Sequence, residues 1–264
     1  MIKPKGGSKL RTVSDPRSKP RTRERVVTEL GKQIVGGKFA EGELLPKEAE
    51  LSEQFDVSRT ALREAMQTLS AKGLITSRPR VGTTVTPAKS WNQLDRDLMM
   101  WRDELEPNAQ FVRGLIEFRR LIEPAAAAFA AERSTGADVA RIEAGFNEMR
   151  EAVLEGYDAS EQVMDRWLSA DQSFHLAILD ATHNPIISAL GTVIASALRN
   201  SFRLTASATD DFIATLDLHG EVLDAIRMRA PERASALVRE LLDRASEDVV
   251  RFDEVDGRQD GKAN

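Results

Sequence analysis

KEAELSEQFDVSRTALREAMQTLSAKGLITSRPRVGTTVT, residues 47–86, reads as two helices joined by a tight turn and followed by a β-hairpin. Stepping 100° per residue from Arg59 gathers Ala61, Leu62, Ala65, Met66 and Leu69 within an arc of roughly 140°. Arg59, Thr60, Arg63, Glu64 and Gln67 take the opposite arc. One face suits a small core. The other offers two guanidinium groups and an amide, the side chains that pair best with guanine and adenine edges in the major groove. Ser58 stands at the N-cap position, where its hydroxyl accepts from a free amide of the first turn. Residues 59–70 are therefore expected to form a DNA recognition helix.

The flanking sequence agrees. Val26, Leu30 and Ile34 recur every four residues and predict a helix over 23–35, stopped by Gly36-Gly37. Pro46 precedes the second helix, whose Leu51 and Phe55 face inward, and Asp56-Val57 makes the turn. Gly73 ends the recognition helix. Leu74 and Thr76, then Val81, Thr83 and Val85, alternate around Arg78-Pro79-Arg80 and predict a two-stranded wing. Arg78, Arg80 and Gly82 fall at or beside its tip. A backbone bare of Cβ at Gly82 can approach phosphate or a minor-groove edge, and an ordinary turn glycine fits the same pattern.

Charge divides the chain. Residues 1–89 carry 18 Lys and Arg against 10 Asp and Glu; the remainder carries 19 against 32. A basic third joined to an acidic two-thirds implies that only the first part meets a polyanion. The absence of cysteine excludes disulfides and thiolate metal ligands. No apolar run is long enough to span a membrane, and the basic N-terminus lacks the apolar stretch of a secretory signal, so a cytoplasmic location is expected.

The expected organisation is a disordered basic tail over 1–22, a winged helix-turn-helix domain over 23–88, an all-helical domain over 89–253 and a disordered tail over 254–264. After Trp91 the pattern is helical throughout, with segments near 94–104, 108–133, 136–155, 160–182, 185–206, 209–229 and 231–252. The fold class is thus mainly α, a winged helix followed by a bundle of six or seven helices.

Chemistry in the acidic part centres on few residues. Asp171 and His175 lie four apart, one helical turn on the same face, and such a pair makes either a hydrogen bond or two ligands for a divalent cation. His219, from a later helix, is a third candidate. Arg119 borders the apolar stripe of Leu115, Phe118 and Ile122, as a snorkelling side chain or as a clamp for an anionic ligand. Thr215 stands one turn before His219. His183 precedes the Asn184-Pro185 break without a partner at useful spacing, and Arg199 and Arg203 face either a pocket or solvent.

The pattern LP-x-EAEL-x-x-x-F-x-VSRTALREA-x-x-x-L-x-x-x-GLI with its glycine-tipped wing resembles the GntR family of bacterial transcription regulators. EFRRLIEPAAAAFAAER at 117–133, D-x-x-x-H at 171–175 and H-x-x-x-L-x-A-I from His219 resemble the FCD effector domain of that family's fatty-acid-regulator branch. LGKQIVGGKF at 30–39 and SWNQLDRDLMMW at 90–101 are similar to members that govern sugar-acid catabolism, galactonate among them.

The resemblance implies that Ser58, Arg59 and Arg63 contact operator DNA, with Thr60, Arg78, Arg80 and Gly82 beside them. Ala49 stands where the family often has arginine; Lys47 replaces that contact only as a point charge. The resemblance further implies a divalent cation on Asp171, His175 and His219, zinc foremost, with nickel or manganese as alternatives. A further family histidine is replaced by Leu241, which leaves an open coordination position for an effector; the other outcome is a metal-free polar cluster that binds the effector directly. Arg119 and Thr215 complete the expected effector site. The implied partners are operator DNA, a second copy of the chain as a homodimer, and a small anionic carboxylate. A sugar acid is the first expectation, and lactate or another organic acid the alternative. The implied activity is ligand-released repression. A metal-dependent enzyme is the weaker reading, because no nucleophile or general base accompanies the cluster. A ligand-free architectural DNA binder leaves that cluster unexplained.

Overall fold

The computed structural model describes residues 18–106, 108–154, 161–205 and 212–260. It divides into two compact units, Met1–Trp101 and Arg102–Asn264. Eleven helices and one two-stranded sheet occur among the described residues. None of the helices is long and apolar enough to cross a membrane.

In the first unit, α1 (Ser18–Val35), α2 (Glu48–Gln54) and α3 (Arg59–Ala71) precede the antiparallel wing of β1 (Ile75–Arg78) and β2 (Gly82–Val85). Ile75 pairs with Val85 and Arg78 with Gly82. The apolar arcs converge as their periodicity requires: Leu30, Ile34, Leu51, Leu62, Ala65, Leu69, Leu74 and Val85 share one buried cluster. Ser58 caps α3, its Oγ accepting from the Ala61 amide at 3.2 Å. Asp56 takes a positive φ of 49° in the preceding turn. Residues 43–45, absent from the sequence-based expectation, add an edge to the wing. Leu45 N donates to Thr83 O, and Val85 N donates to Glu43 O.

The first unit extends beyond the expected boundary at 88/89. Trp91 Nε1 donates to the Thr86 carbonyl, and Asn92 N to the Lys72 carbonyl. The Lys72 ammonium lies 2.8 Å from Asp95 and 2.7 Å from Asp97. Leu98 and Trp101, from α4 (Arg96–Asp103), are buried in the first unit's core. The segment expected to open the helical domain is thus bound to the winged helix by a paired lysine and by apolar burial.

The second unit contains α5 (Ala109–Arg133), α6 (Gly136–Leu154), α7 (Glu161–Asp180), α8 (Pro185–Ala189), α9 (Gly191–Thr205), α10 (Phe212–Arg227) and α11 (Pro231–Asp260). The expected single helix over 185–206 is two, broken at Leu190. Both expected tails are shorter than the composition suggested: 18–22 belong to α1 and 254–260 to α11. The rest of those tails, 1–17 and 261–264, lies outside the described residues. Phe174, Ile142, Met149, Ile194 and Leu242 are fully buried and form the centre of the bundle. Gly145 permits a close approach there, since a Cβ on it would meet the Phe174 backbone nitrogen at 2.8 Å. That contact presses α6 onto α7 one residue before His175.

Candidate metal centre and nucleic-acid interface

On the first unit the expected DNA-reading residues are displayed rather than buried. Arg59, Thr60 and Arg63 are exposed along α3, and Lys47 is exposed at the start of α2. Arg63 is tethered, its Nε donating to Glu48 Oε2 at 2.9 Å. Arg78 ends β1, Arg80 takes a positive φ of 64° in the turn, and Gly82 takes 114°. The value at Gly82 is one that a side chain disfavours, so the glycine is required by the wing itself. Lys47, Glu48, Met66, Arg78 and Gly82 line one groove between the second helix, the recognition helix and the wing.

In the second unit, α7 contributes Asp171 and His175, and α10 contributes His219. One ligand-type atom from each lies within 4.8 Å of the others. Both imidazoles are buried, while Asp171 retains 13% side-chain exposure. His219 Nδ1 lies 2.7 Å from the Thr215 carbonyl, which only accepts, so Nδ1 donates. In the neutral ring Nε2 is then a bare lone pair. It sits 3.0 Å from Asp171 Oδ1, yet it is a buried atom with no hydrogen-bond partner among the described residues. Two acceptors facing each other at that distance repel unless a proton or cation lies between them. The donor set, two imidazoles and a carboxylate, is one that zinc accepts. The residues fit a divalent cation.

His175 is held from behind. Its Nδ1 lies 2.6 Å from Glu123 Oε2, and its Nε2 lies 3.5 Å from Asp171 Oδ1. Glu123 Oε1 accepts from Arg119 Nε at 2.5 Å. Burial works against every charge here, and mutual attraction outweighs it. Glu123, despite burial, is lowered to about 2 by Arg119 and His175. Asp171 is likewise held well below the usual carboxylate range, chiefly by His175. Burial alone would lower His175, but Glu123 and Asp171 raise it to about 9. A cavity of about 120 Å³ opens onto this cluster, lined also by Trp167, Leu198, Phe202, Thr215, Leu241 and Arg244.

Comparison with known proteins decides what this pairing of units is. Residues 22–85 match the description "Bacterial regulatory proteins, gntR family", and residues 114–244 match "FCD domain". The chain is 39% identical over 205 residues to the galactonate operon transcriptional repressor of Escherichia coli, covering 77% of this chain and 86% of that one. The chain belongs to the GntR family. A second relative, the uncharacterized HTH-type transcriptional regulator YieP of E. coli, is 36% identical over 75% of this chain and 82% of its own. Among solved structures, one described as "Lar controls the expression of the Listeria monocytogenes agr system and mediates virulence" superposes with a TM-score of 0.60. It covers 92% of this chain and 99% of its own at 18% identity, and so speaks to the fold alone.

As a GntR-family protein with an FCD domain, the chain is a DNA-binding transcription regulator that takes a small-molecule effector, and not an enzyme. The structure brings Arg119, Asp171, His175, Thr215 and His219 to one cavity. Arg119 lines this cavity while its Nε donates to Glu123, a salt-bridged head of the kind the sequence offered beside the clamp. Leu241 packs in the bundle core and also borders the cavity. Arg199 and Arg203 do not line it: Arg199 binds the Asp103 carboxylate, and Arg203 the backbone carbonyls of Asp103 and Leu105. His183, expected to stand alone, lies 2.9 Å from the buried Asp138 carboxylate. Glu123 and Arg244 were missed. For Glu123 the signal was its place four residues after Arg119, on the same helix face.

Proposed function

We propose that this GntR-family regulator is a homodimeric repressor of sugar-acid catabolic genes, released from its operator when a small anionic carboxylate, galactonate or a related aldonate, enters the FCD cavity. The observation that carries the reading is that His175 and His219, both buried, converge on the Asp171 carboxylate at the cavity, His219 Nε2 lying 3.0 Å from Asp171 Oδ1. Asp171, His175 and His219 would hold a divalent cation, zinc before nickel or manganese. With Leu241 in place of a fourth ligand, these residues would leave such a cation able to supply Lewis-acid chemistry to a carboxylate or hydroxyl of the effector. Thr215 and Arg244 border the cavity and would orient the remainder of the ligand. The sugar-acid assignment is supported by the 39% identity to a repressor of a galactonate operon.

On DNA, Arg59, Thr60 and Arg63 would read base edges, Ser58 and Lys47 the backbone, and Arg78, Arg80 and Gly82 the wing's contact. Two copies would read half-sites about one helical turn apart. Release requires the effector to bind the DNA-incompetent arrangement more tightly. The test is fluorescence anisotropy of the zinc-loaded protein on its own promoter with galactonate, other aldonates and lactate. Release by aldonates alone is expected. Release by lactate alone moves the protein to another effector class, and release by none removes the ligand-responsive reading.

A further inference from the structure

The two imidazoles of the triad are oriented by different means. His219 has its Nδ1 proton fixed by a backbone carbonyl of its own helix, at Thr215. His175 relies on a side chain from another helix: Nδ1 lies 2.6 Å from Glu123 Oε2. Glu123 is 2% exposed, and its second oxygen accepts from Arg119 Nε, itself on a side chain only 4% exposed. A carboxylate has no proton to give, so His175 Nδ1 must donate, which leaves Nε2 to face Asp171. An imidazole backed in this way is fixed in tautomer and ring orientation and is a stronger donor to a cation.

We infer that Glu123 is the positioning residue of His175, and that Arg119 serves the cation site through Glu123 instead of clasping the effector with its whole guanidinium. The inference rests on the reading that Asp171, His175 and His219 hold a divalent cation. Arg119 offsets the charge of Glu123, so the buried carboxylate stays ionised and aimed at the imidazole. The i,i+4 spacing of Arg119 and Glu123 makes the pair a rigid part of α5.

The test is zinc affinity of the full chain by chelator competition, for the wild type, Glu123→Gln and Asp171→Asn, together with ¹⁵N-imidazole NMR of the zinc-loaded wild type. Glu123→Gln is expected to weaken zinc by about 10- to 100-fold, the usual effect of losing an outer-shell partner. The His175 spectrum is expected to show a protonated Nδ1 and a zinc-bound Nε2. Wild-type affinity in Glu123→Gln, with affinity lost in Asp171→Asn, overturns the positioning role and leaves the cation reading intact. A wild type that binds no zinc, nickel or manganese removes the cation reading, and this inference with it. Should Glu123→Gln fail to fold, the wild-type spectrum decides alone: a proton on Nδ1 supports the relay, and zinc bound through Nδ1 overturns it.

Discussion

His219 Nδ1 donates to the carbonyl of Thr215 at 2.7 Å, and this bond determines which nitrogen of His219 faces Asp171. The bond is made within α10 itself, between residues one turn apart, and calls on no other element. It turns Nε2 toward a carboxylate oxygen 3.0 Å away, an arrangement that suits a proton or a cation shared by the two. Asp171→Asn keeps the shape and removes the charge. Zinc affinity of that variant should fall by more than the ~10- to 100-fold typical of an outer-shell loss. Chelator competition reads the difference.

Cation uptake should be proton-coupled. With His175 raised to about 9, its ring is protonated at neutral pH in the metal-free protein. Binding through Nε2 then expels one proton, and affinity rises with pH until about 9. Calorimetry in two buffers of different ionisation enthalpy should return close to one proton at pH 7. The same groups set the stability of the metal-free protein. The His175 contribution is complete below its ordinary value of 6.5 and is lost as pH rises through about 9. The Glu123 contribution is present above 4.5 and is lost as pH falls through about 2. Thermal melts should therefore be flattest between those two ordinary values and decline toward either extreme.

Leu241→His restores an imidazole to the cavity wall, where Leu241 now stands 7% exposed. Four-ligand closure is the preferred state of structural zinc, so affinity should rise on the order of tenfold or more. Effector response should fall, because the open position is taken. Tighter zinc with unchanged release by the effector would show that the ligand does not reach the cation.

The recognition helix makes a separable prediction. Arg63→Ala should cost ~1–3 kcal/mol of operator affinity by removing a base contact. Glu48→Ala releases Arg63 from its tether; both side chains are largely exposed, so folding stability should change by less than ~1 kcal/mol. Anisotropy on operator DNA and urea denaturation measure the two effects independently.

Local stability in the first unit follows from its caps and core. Ser58→Ala removes the acceptor for the Ala61 amide and should cost ~1 kcal/mol. Leu69→Ala empties a fully buried site and should cost ~2–5 kcal/mol. Zinc affinity should be untouched by both, since Asp171, His175 and His219, the proposed ligands, belong to the second unit. Denaturation followed by circular dichroism, paired with a zinc titration, checks this.

What the sequence made legible was local. The winged helix is written in short-range signals: an N-cap serine, apolar steps of three and four, and alternation around a glycine turn. The Asp171–His175 pair is likewise one helical turn. What remained hidden depends on distant partners. Lys72 ends a recognition helix by pattern alone; only folding brings Asp95 and Asp97 to it and moves the unit's edge to Trp101. Glu123 sits in an alanine-rich helix, and only the packing of α7 brings His175 to it. His183 gains Asp138 from 45 residues away. In each case a polar side chain has a partner on another element, which periodicity does not report.

The most direct test of the cation-gated switch is operator release by galactonate, measured by anisotropy for the wild type and Asp171→Asn side by side. The account predicts equal operator affinity for both proteins without ligand, release of the wild type, and retention of the variant at the same galactonate concentration. Equal release of the two would contradict it.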